Sequence, residues 1–415
     1  MPSLMDLLFL LPGLLVIGIA AASQERDRSL IPDTYKWKIS DVYPSDAAWR
    51  EAKQRLVSEF PSVAAFKGKL GSSSKELLAC LDLVTGMRKE LARLSTYASL
   101  NLDQDTRVQQ YLAMQQEVSQ IDSSFQAATS FIRPEILQTD DATITSFLDS
   151  EPGLGVYRHF LGDILRRKAH TGAAGEEKII ADAGLMADAP SSIREVFADA
   201  DFPYPELTLH DGRRVKLDQA GFSLHRASPD REDREKVFAA FMGSLNEYRR
   251  TFGAQLSAQV RQDLFYKEAR KYNSCLESAL DANNIPLTVY RTLIDNVHRQ
   301  LGSFHRYLRL RRRILGVDQL HYYDLYAPLV ADLNLNYTVD EARSHVLAAT
   351  KPLGREYLNV LRRAFDNRWI DYYPTDAKRS GAYSNGSAYD VHPYVLLNYN
   401  GKYDDVSTLA HELGH

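Results

Sequence analysis

The sequence has few cysteines and no dominant charge. Its two cysteines, Cys80 and Cys275, cannot build a disulfide framework, and neither lies in a CxxC pair or at metal-ligand spacing from a histidine. We therefore interpret both as small buried hydrophobic residues. The chain has 50 Lys and Arg against 54 Asp and Glu, a net charge of -4, without a basic or acidic block. This charge pattern argues against nucleic acid as a partner.

Long apolar runs are also scarce, and the exception is at the N-terminus. Residues 7–23, LLFLLPGLLVIGIAAAS, carry no charge and end in small residues, as a signal peptide does. The preceding MPSLMD contains Asp6 but no Lys or Arg, and Pro12-Gly13 interrupts a run that is short for a membrane span. We predict that residues 1–23 are a signal peptide that exports the protein to the periplasm or the cell exterior. An uncleaved N-terminal anchor, the one expected membrane contact, is the alternative.

Most of the remaining sequence predicts α-helices. Ser73 and Glu76 form a capping box ahead of apolar residues at helical spacing, and Thr338 and Glu341 form another. Ser228-Pro229 combines an N-cap residue with a first-turn proline and predicts the start of a long helix. We therefore predict a mainly α fold.

Two short stretches predict β structure instead. Polar and apolar residues alternate around Asp211-Gly212, a pair that favours a tight hairpin turn, and a domain boundary is expected just before it. Val395, Leu397 and Tyr399 alternate as one face of a strand. Asp404 or Asp405 is then the expected N-cap of the last helix. The predicted organisation is residues 1–23, a helical domain at 24–200, and a second domain at 201–415 with a small β element before its last helix.

The last five residues, HELGH, carry the chemistry. His411 and His415 are four residues apart, so on a helix both imidazoles project from one face and can bind a single ion. Imidazole nitrogen suits Zn²⁺. Glu412 follows the first histidine and is placed to act as general base toward a metal-bound water. The alternative is an accidental match on a surface helix, but neighbouring apolar residues predict that this helix is buried on one side.

Several longer stretches resemble a known family. They are IPDTYKWKISDVYPSDAAW, YNSCLESALDANNIPLTVY, YYDLYAPL and KRSGAYSNGSAYDVHPYVLLNYNGKYDDVSTLAHELGH. Together they resemble oligoendopeptidase F of the thimet-oligopeptidase group of zinc peptidases, over most of the chain after the leader. The resemblance implies an almost wholly helical, bowl-like enzyme with a deep cleft that cuts short peptides. It also implies that residues 201–415 belong to the zinc peptidase catalytic domain.

The resemblance assigns roles to particular residues. It makes His411 and His415 zinc ligands and Glu412 the general base, with a glutamate from a later helix as third ligand. Residues 381–399 would form a cleft wall whose strand edge pairs with the main chain of a bound peptide. The expected substrate-binding residues are Gly381, Tyr383, His392, Tyr394 and Asn398. For His392, a hydrogen-bonded loop histidine is an equal alternative.

Two features depart from the family pattern. Family members are commonly cytosolic, which makes a cytoplasmic location the alternative to export. The third zinc ligand, and the His and Tyr that stabilise the tetrahedral intermediate, are expected beyond residue 415, so we interpret the 415 residues as an inactive fragment of a longer zinc metalloendopeptidase. The competing interpretation is a helical peptide-binding protein that has lost catalysis.

Overall fold

The structure is a computed structural model, and it describes residues 26–330 and 335–415. The predicted signal peptide at residues 1–23 lies outside the described residues. Within the described part of the chain, no helix is long and apolar enough to span a membrane.

Helices account for most of the described residues, as predicted. In chain order they are α1 Asp46–Val63, α2 Ser74–Gln104, α3 Gln109–Thr129, α4 Ile132–Gln138, α5 Asp141–Ser150, α6 Arg158–Arg166, α7 Ala174–Asp182, α8 Gly184–Ala187, α9 Ala189–Val196, α10 Gln219–His225, α11 Arg231–Glu247, α12 Arg249–Ala269, α13 Cys275–Asp281, α14 Leu287–Ile314, α15 Val339–Ala349, α16 Arg355–Asp366 and α17 Tyr403–Gly414. The mainly α prediction is confirmed.

The described strands form two small sheets. Strands β1 (Glu206–Thr208) and β2 (Arg214–Lys216) make the antiparallel hairpin predicted around Asp211-Gly212, and Gly212 takes the positive φ of 85° that its turn requires. The second sheet has the order β3-β5-β4, with β3 Ile370–Asp371, β4 Tyr383–Asn385 and β5 Tyr394–Leu396. Strand β5 pairs in parallel with β3 and antiparallel with β4.

The chain divides into two units, which we call unit 1 and unit 2. Within the described residues, unit 1 comprises 26–38, 335–386 and 392–415, and unit 2 comprises 39–330 and 387–391. The predicted domain boundary near residue 200 falls inside unit 2 and stays a prediction.

Unit 1 is built around its three-stranded sheet. Its core combines apolar residues of α15, α16 and α17 with those of β3 and β5, among them Val346, Leu361, Leu409, Ile370 and Val395. All three residues of β5 are buried, because the central strand is covered on both faces. Of the predicted strand residues, Val395 lies in β5, whereas Leu397 and Tyr399 lie beyond its end, and β5 is buried on both faces instead of one.

Unit 2 contains the long helices of the N-terminal half. On α2, the apolar residues that follow the predicted cap are buried at helical spacing: Leu77, Leu81, Val84, Met87 and Leu91. Ser73 caps this helix by accepting a hydrogen bond of 3.2 Å from the Glu76 amide, as predicted. Helices α1 and α3 pack against α2. Cys80 of α2 is buried as predicted, whereas Cys275 is half-buried, and both are free thiols.

The predicted start of helix α11 was wrong. The N-cap of α11 is Asp230 and not Ser228, because the Asp230 carboxylate accepts the Asp233 amide at 2.8 Å. Ser228 instead accepts a hydrogen bond from the Asp230 amide at 3.2 Å. The serine therefore orders the cap residue from outside the helix.

Candidate functional site

Helix α17, which carries the HELGH motif, starts before both of the aspartates predicted to cap it. It begins at Tyr403 after Lys402, and Asp405 reaches back to accept the amides of Lys402 at 2.7 Å and Asn400 at 3.1 Å. The prediction of Asp404 or Asp405 as N-cap was wrong, because Asp405 acts from the third helical position. Burial raises the pKa of Asp405 to about 6, even though both amides favour its charged form.

The opposite end of α17 places both histidines together. Their Nε2 atoms are 3.3 Å apart, and the two rings stand nearly perpendicular, with an interplanar angle of 83°. Both histidines are exposed, whereas Glu412 between them is 7 % exposed. Val406 and Leu409 bury the other side of the helix in the core of unit 1. The predicted one-sided burial of this helix is confirmed.

The spacing of the two nitrogens fits a zinc ligand pair. With Zn–N bonds of about 2.05 Å and a tetrahedral angle, two ligating nitrogens stand about 3.3 Å apart. The distance between the two Nε2 atoms is the same, and both atoms lie on one exposed face. A hydrogen bond between neutral imidazoles has a similar length. The two histidines therefore fit the metal that the motif predicts.

Two histidines do not complete a tetrahedral site. In the described ranges, one group of three or more metal-binding side chains has its ligand atoms close together, and it lies in unit 2: His210, Asp230 and Asp233. No described third ligand therefore adjoins His411 and His415.

The His210 group, which the sequence analysis missed, has a structural explanation. Buried Asp233 accepts both the His210 amide at 2.9 Å and the Nδ1 of its ring at 2.6 Å, and Asp230 caps α11. The hydrogen bond with the Asp233 carboxylate raises the pKa of His210. Burial disfavours the charged form of Asp233, but the hydrogen bonds from His210 outweigh burial. The pKa of Asp233 is therefore below its usual value. The group thus fastens the β1–β2 hairpin to α11.

The tyrosine Tyr357 of α16 fixes the end of the motif helix. Its hydroxyl donates a hydrogen bond of 2.8 Å to the carbonyl oxygen of Leu413, which lies between the two histidines. Carbonyls in the last turn of a helix lack partners within the helix. The partner of the Leu413 carbonyl comes from a side chain on a separate helix, so no local sequence pattern predicts the contact.

The predicted substrate-binding residues all lie in unit 1. Gly381 has a φ of 81°, and its carbonyl accepts a 2.8 Å hydrogen bond from the Asn398 side chain. Tyr383 is half-buried on β4, which packs against α17. Tyr394 is fully buried and donates to the Lys38 carbonyl at 2.9 Å. His392 stacks on Trp369 with 4.4 Å between ring centroids. Their role in binding substrate stays a prediction.

A buried ion pair lies in the same unit as these residues. The Lys378 Nζ is 2.6 Å from Asp371 Oδ1, and it also donates to the carbonyls of Tyr373 at 2.8 Å and Leu397 at 2.6 Å. Arg28 makes a second ion pair with Asp371. Burial opposes ionisation of Asp371, but Lys378 and Arg28 outweigh it and keep the pKa of its carboxyl low. No local pattern predicts this pair, because a lysine in a Gly- and Ser-rich segment is usually exposed to solvent.

The fold and the motif together define a class: a mainly helical protein whose last described helix presents an HExxH pair beside a small sheet. Residues 224–415 match the sequence profile of Peptidase family M3, and residues 135–204 match that of Oligopeptidase F. Residues 224–415 therefore carry a domain of peptidase family M3, and the resemblance to oligoendopeptidase F is confirmed.

Named relatives agree with this assignment. The chain is 34% identical to Oligopeptidase PepF of Bacillus subtilis over 394 residues, which cover 95% of this chain and 59% of that protein. It is also 34% identical to Group B oligopeptidase PepB of Streptococcus agalactiae, covering 94% of this chain and 64% of that one. The crystal structure of oligoendopeptidase-F from Enterococcus faecium matches with a TM-score of 0.69 and 32% identity, over 77% of this chain and 60% of that one. The chain thus spans about three fifths of the length of these relatives.

Proposed function

We propose that this chain supplies part of the active site of a zinc-dependent oligopeptidase that hydrolyses short peptides. The observation that carries the proposal is the geometry of α17 in a domain of family M3. Its two Nε2 atoms are 3.3 Å apart, with the carboxylate of Glu412 on the residue after the first histidine. The oligopeptidase names of the relatives support short peptides as the substrate class.

In this proposal the side chains have separate roles. His411 and His415 would hold the ion through Nε2, and bound Zn²⁺ would lower the pKa of a water molecule from about 15.7 to about 7. Glu412 accepts a proton from the attacking water as general base and then donates it toward the departing amine. The core contacts of Val406 and Leu409 hold helix α17 in place during the reaction.

The substitution Glu412→Gln tests the role of the base. A suitable protein joins these 415 residues to a C-terminal extension taken from the B. subtilis relative, and its activity is measured on short quenched fluorescent peptides. Because general-base catalysis typically contributes about 10²- to 10⁴-fold, we expect kcat to fall by that factor while zinc content is unchanged.

The exposed carboxylate Glu356 on α16 offers a matched control, since Glu356→Gln should leave kcat unaltered. Activity that resists a zinc chelator, or a Glu412→Gln protein with full turnover, would overturn the proposal. A joined protein that binds peptides without cleaving them would favour the non-catalytic peptide-binding alternative.

We propose further that residues 1–23 direct export, on the basis of their uncharged apolar run and small-residue end. Mass spectrometry of the protein recovered from a Gram-negative host tests this. A new N-terminus near Ala22 or Ser23 in the periplasmic fraction is expected, and an intact N-terminus in the cytoplasmic fraction would contradict it.

A further inference from the structure

The two histidines of the HELGH motif differ in how helix α17 supports them. His411 follows Leu409 and Ala410, which both pack in the core of unit 1. His415 follows Gly414, which has no side chain to pack. Apart from neighbouring residues of its own segment, no described atom lies within 4 Å of the position that a Cβ on Gly414 would take. The turn that carries His415 is therefore the less supported half of the pair.

A contact from another helix fixes the residue before Gly414. The Leu413 side chain packs against the core of unit 1, and its carbonyl accepts the 2.8 Å hydrogen bond from the Tyr357 hydroxyl. A carbonyl oxygen has two lone pairs, so this bond is compatible with a main-chain hydrogen bond to the same oxygen. Among the described residues, no other side chain outside α17 hydrogen-bonds to residues 411–415. The support of this turn thus depends on one hydroxyl.

Tyr357 is itself held in place. It lies on α16, whose residue Leu361 is buried in the core of unit 1, and the Tyr357 ring packs against the same core. Helix α16 also packs against α15. Because packed side chains have little freedom to move, the position of α16 is passed to the hydroxyl. The Tyr357 hydroxyl therefore ties the last turn of α17 to a second, packed helix.

Metal binding requires the two imidazoles to keep their spacing. Their Nε2 atoms are 3.3 Å apart, and a metal site generally has to be held within about 0.5 Å of its productive geometry. We propose that Tyr357 is a positioning residue for His415. Its hydroxyl holds the Leu413 carbonyl, and thereby the last turn of α17, where both imidazoles reach one ion. This inference rests on the zinc site of the proposed function.

The substitution Tyr357→Phe tests the inference, because it removes the hydroxyl and keeps the ring. Residues behind metal ligands typically change metal affinity about 10- to 100-fold when they are replaced. In the protein joined to the C-terminal extension, we therefore expect zinc to bind weaker by that factor, measured by competition with a chromophoric chelator.

A second measurement needs no metal. The imidazole signals of His415 are recorded by NMR in the metal-free 415-residue chain and identified by their absence from His415→Asn. Tyr357→Phe should shift these signals, because the last turn of α17 loses its anchor.

Tyr399→Phe is the matched control. The Tyr399 hydroxyl also donates to a main-chain carbonyl, that of Tyr337 at 2.9 Å, and Tyr399 belongs to the same core, but the carbonyl lies outside α17. Each variant loses one hydrogen bond, so both should lower the unfolding temperature to a similar extent. Tyr399→Phe should leave the zinc affinity and the His415 signals unchanged.

The outcomes separate positioning from simple stabilisation. Wild-type zinc affinity in Tyr357→Phe, unchanged His415 signals, or an equal loss of zinc affinity in Tyr399→Phe would each overturn the inference and leave Tyr357 a stabilising residue. A joined protein that takes up no zinc would contradict the proposed function and this inference together. Full turnover by Glu412→Gln would contradict the proposed general base alone, since the comparison of zinc affinities does not depend on that carboxylate.

Discussion

At the scale of single residues, the charged pair Lys378–Asp371 is the sharpest feature of unit 1. The Lys378 side chain is completely buried, and its ammonium group has acceptors on Asp371, Tyr373 and Leu397. These contacts join β3, the segment that follows it, and the end of β5. A buried ammonium group requires such compensation, because leaving water is costly for a charge.

Lys378→Met should therefore destabilise the protein strongly. The substitution leaves the Asp371 carboxylate buried with Arg28 as its remaining ion-pair partner and removes a donor from two carbonyls. We expect a loss of about 3 kcal/mol or more in the free energy of unfolding, measured by urea denaturation. Lys351→Met, at an exposed lysine of the same unit, should change it by less than about 0.5 kcal/mol. A loss below about 1 kcal/mol for Lys378→Met would show that the pair is not important for stability.

At the scale of elements, helix starts show what sequence patterns can predict. Ser73 and Thr338 were predicted correctly, because a glutamate follows each of them three residues later, although Ser72 and Ser74 flank Ser73. The predictions failed at α11 and α17, where no Glu or Gln follows Ser228, Asp404 or Asp405 three residues later. There the path of the preceding loop decides which oxygen reaches a free amide, and that path depends on tertiary contacts.

The start of α17 also predicts a pH dependence of stability. The pKa of Asp405 is raised to about 6 in the folded protein, above its ordinary value of 3.8. Between about pH 4 and pH 6 the folded state therefore holds more protons than the unfolded state, and Asp405 makes stability fall as pH rises. Its contribution is fully present below pH 4 and is lost above pH 6.

Asp405→Asn removes this effect while keeping an oxygen for the two amides. Relative to the wild type, the variant should gain about 1–3 kcal/mol of unfolding free energy between pH 4 and pH 7. Urea denaturation at several pH values measures the difference, and Glu356→Gln serves as the exposed control in the same unit. A constant difference across this range would mean that Asp405 titrates normally.

At the scale of the whole molecule, the sequence was sufficient for the fold class and the motif helix. Apolar residues at helical spacing, such as Leu77 and Val84, were enough to predict a mainly α protein. The four-residue spacing of His411 and His415 was enough to place both rings on one face. Contacts between distant segments were missed: Tyr357 with Leu413, His210 with Asp233, and Lys378 with Asp371. In each case the partner is chosen by tertiary packing, and it lies outside the window of a local pattern.

Zinc binding by the 415-residue chain tests whether two histidines are enough. Two imidazoles fill half of a tetrahedral site, and catalytic zinc sites generally use three protein ligands. We therefore expect the chain to bind zinc on the order of 1,000-fold more weakly than the protein joined to the C-terminal extension, and to cleave no peptide. Competition titration with a chromophoric chelator measures the affinity. Tight binding or chelator-sensitive cleavage by the 415-residue chain would contradict this expectation.

Matched histidine variants show which residues bind any zinc that the 415-residue chain retains. His411→Asn should abolish it, whereas His345→Asn, at an exposed histidine of α15, should not. His210→Asn is the critical comparison, since His210, Asp230 and Asp233 are the other described group with ligand atoms close together. In that group the Asp233 carboxylate already accepts two hydrogen bonds from His210. Metal there would have to displace them, so zinc lost with His210→Asn and retained with His411→Asn would move the metal site away from α17.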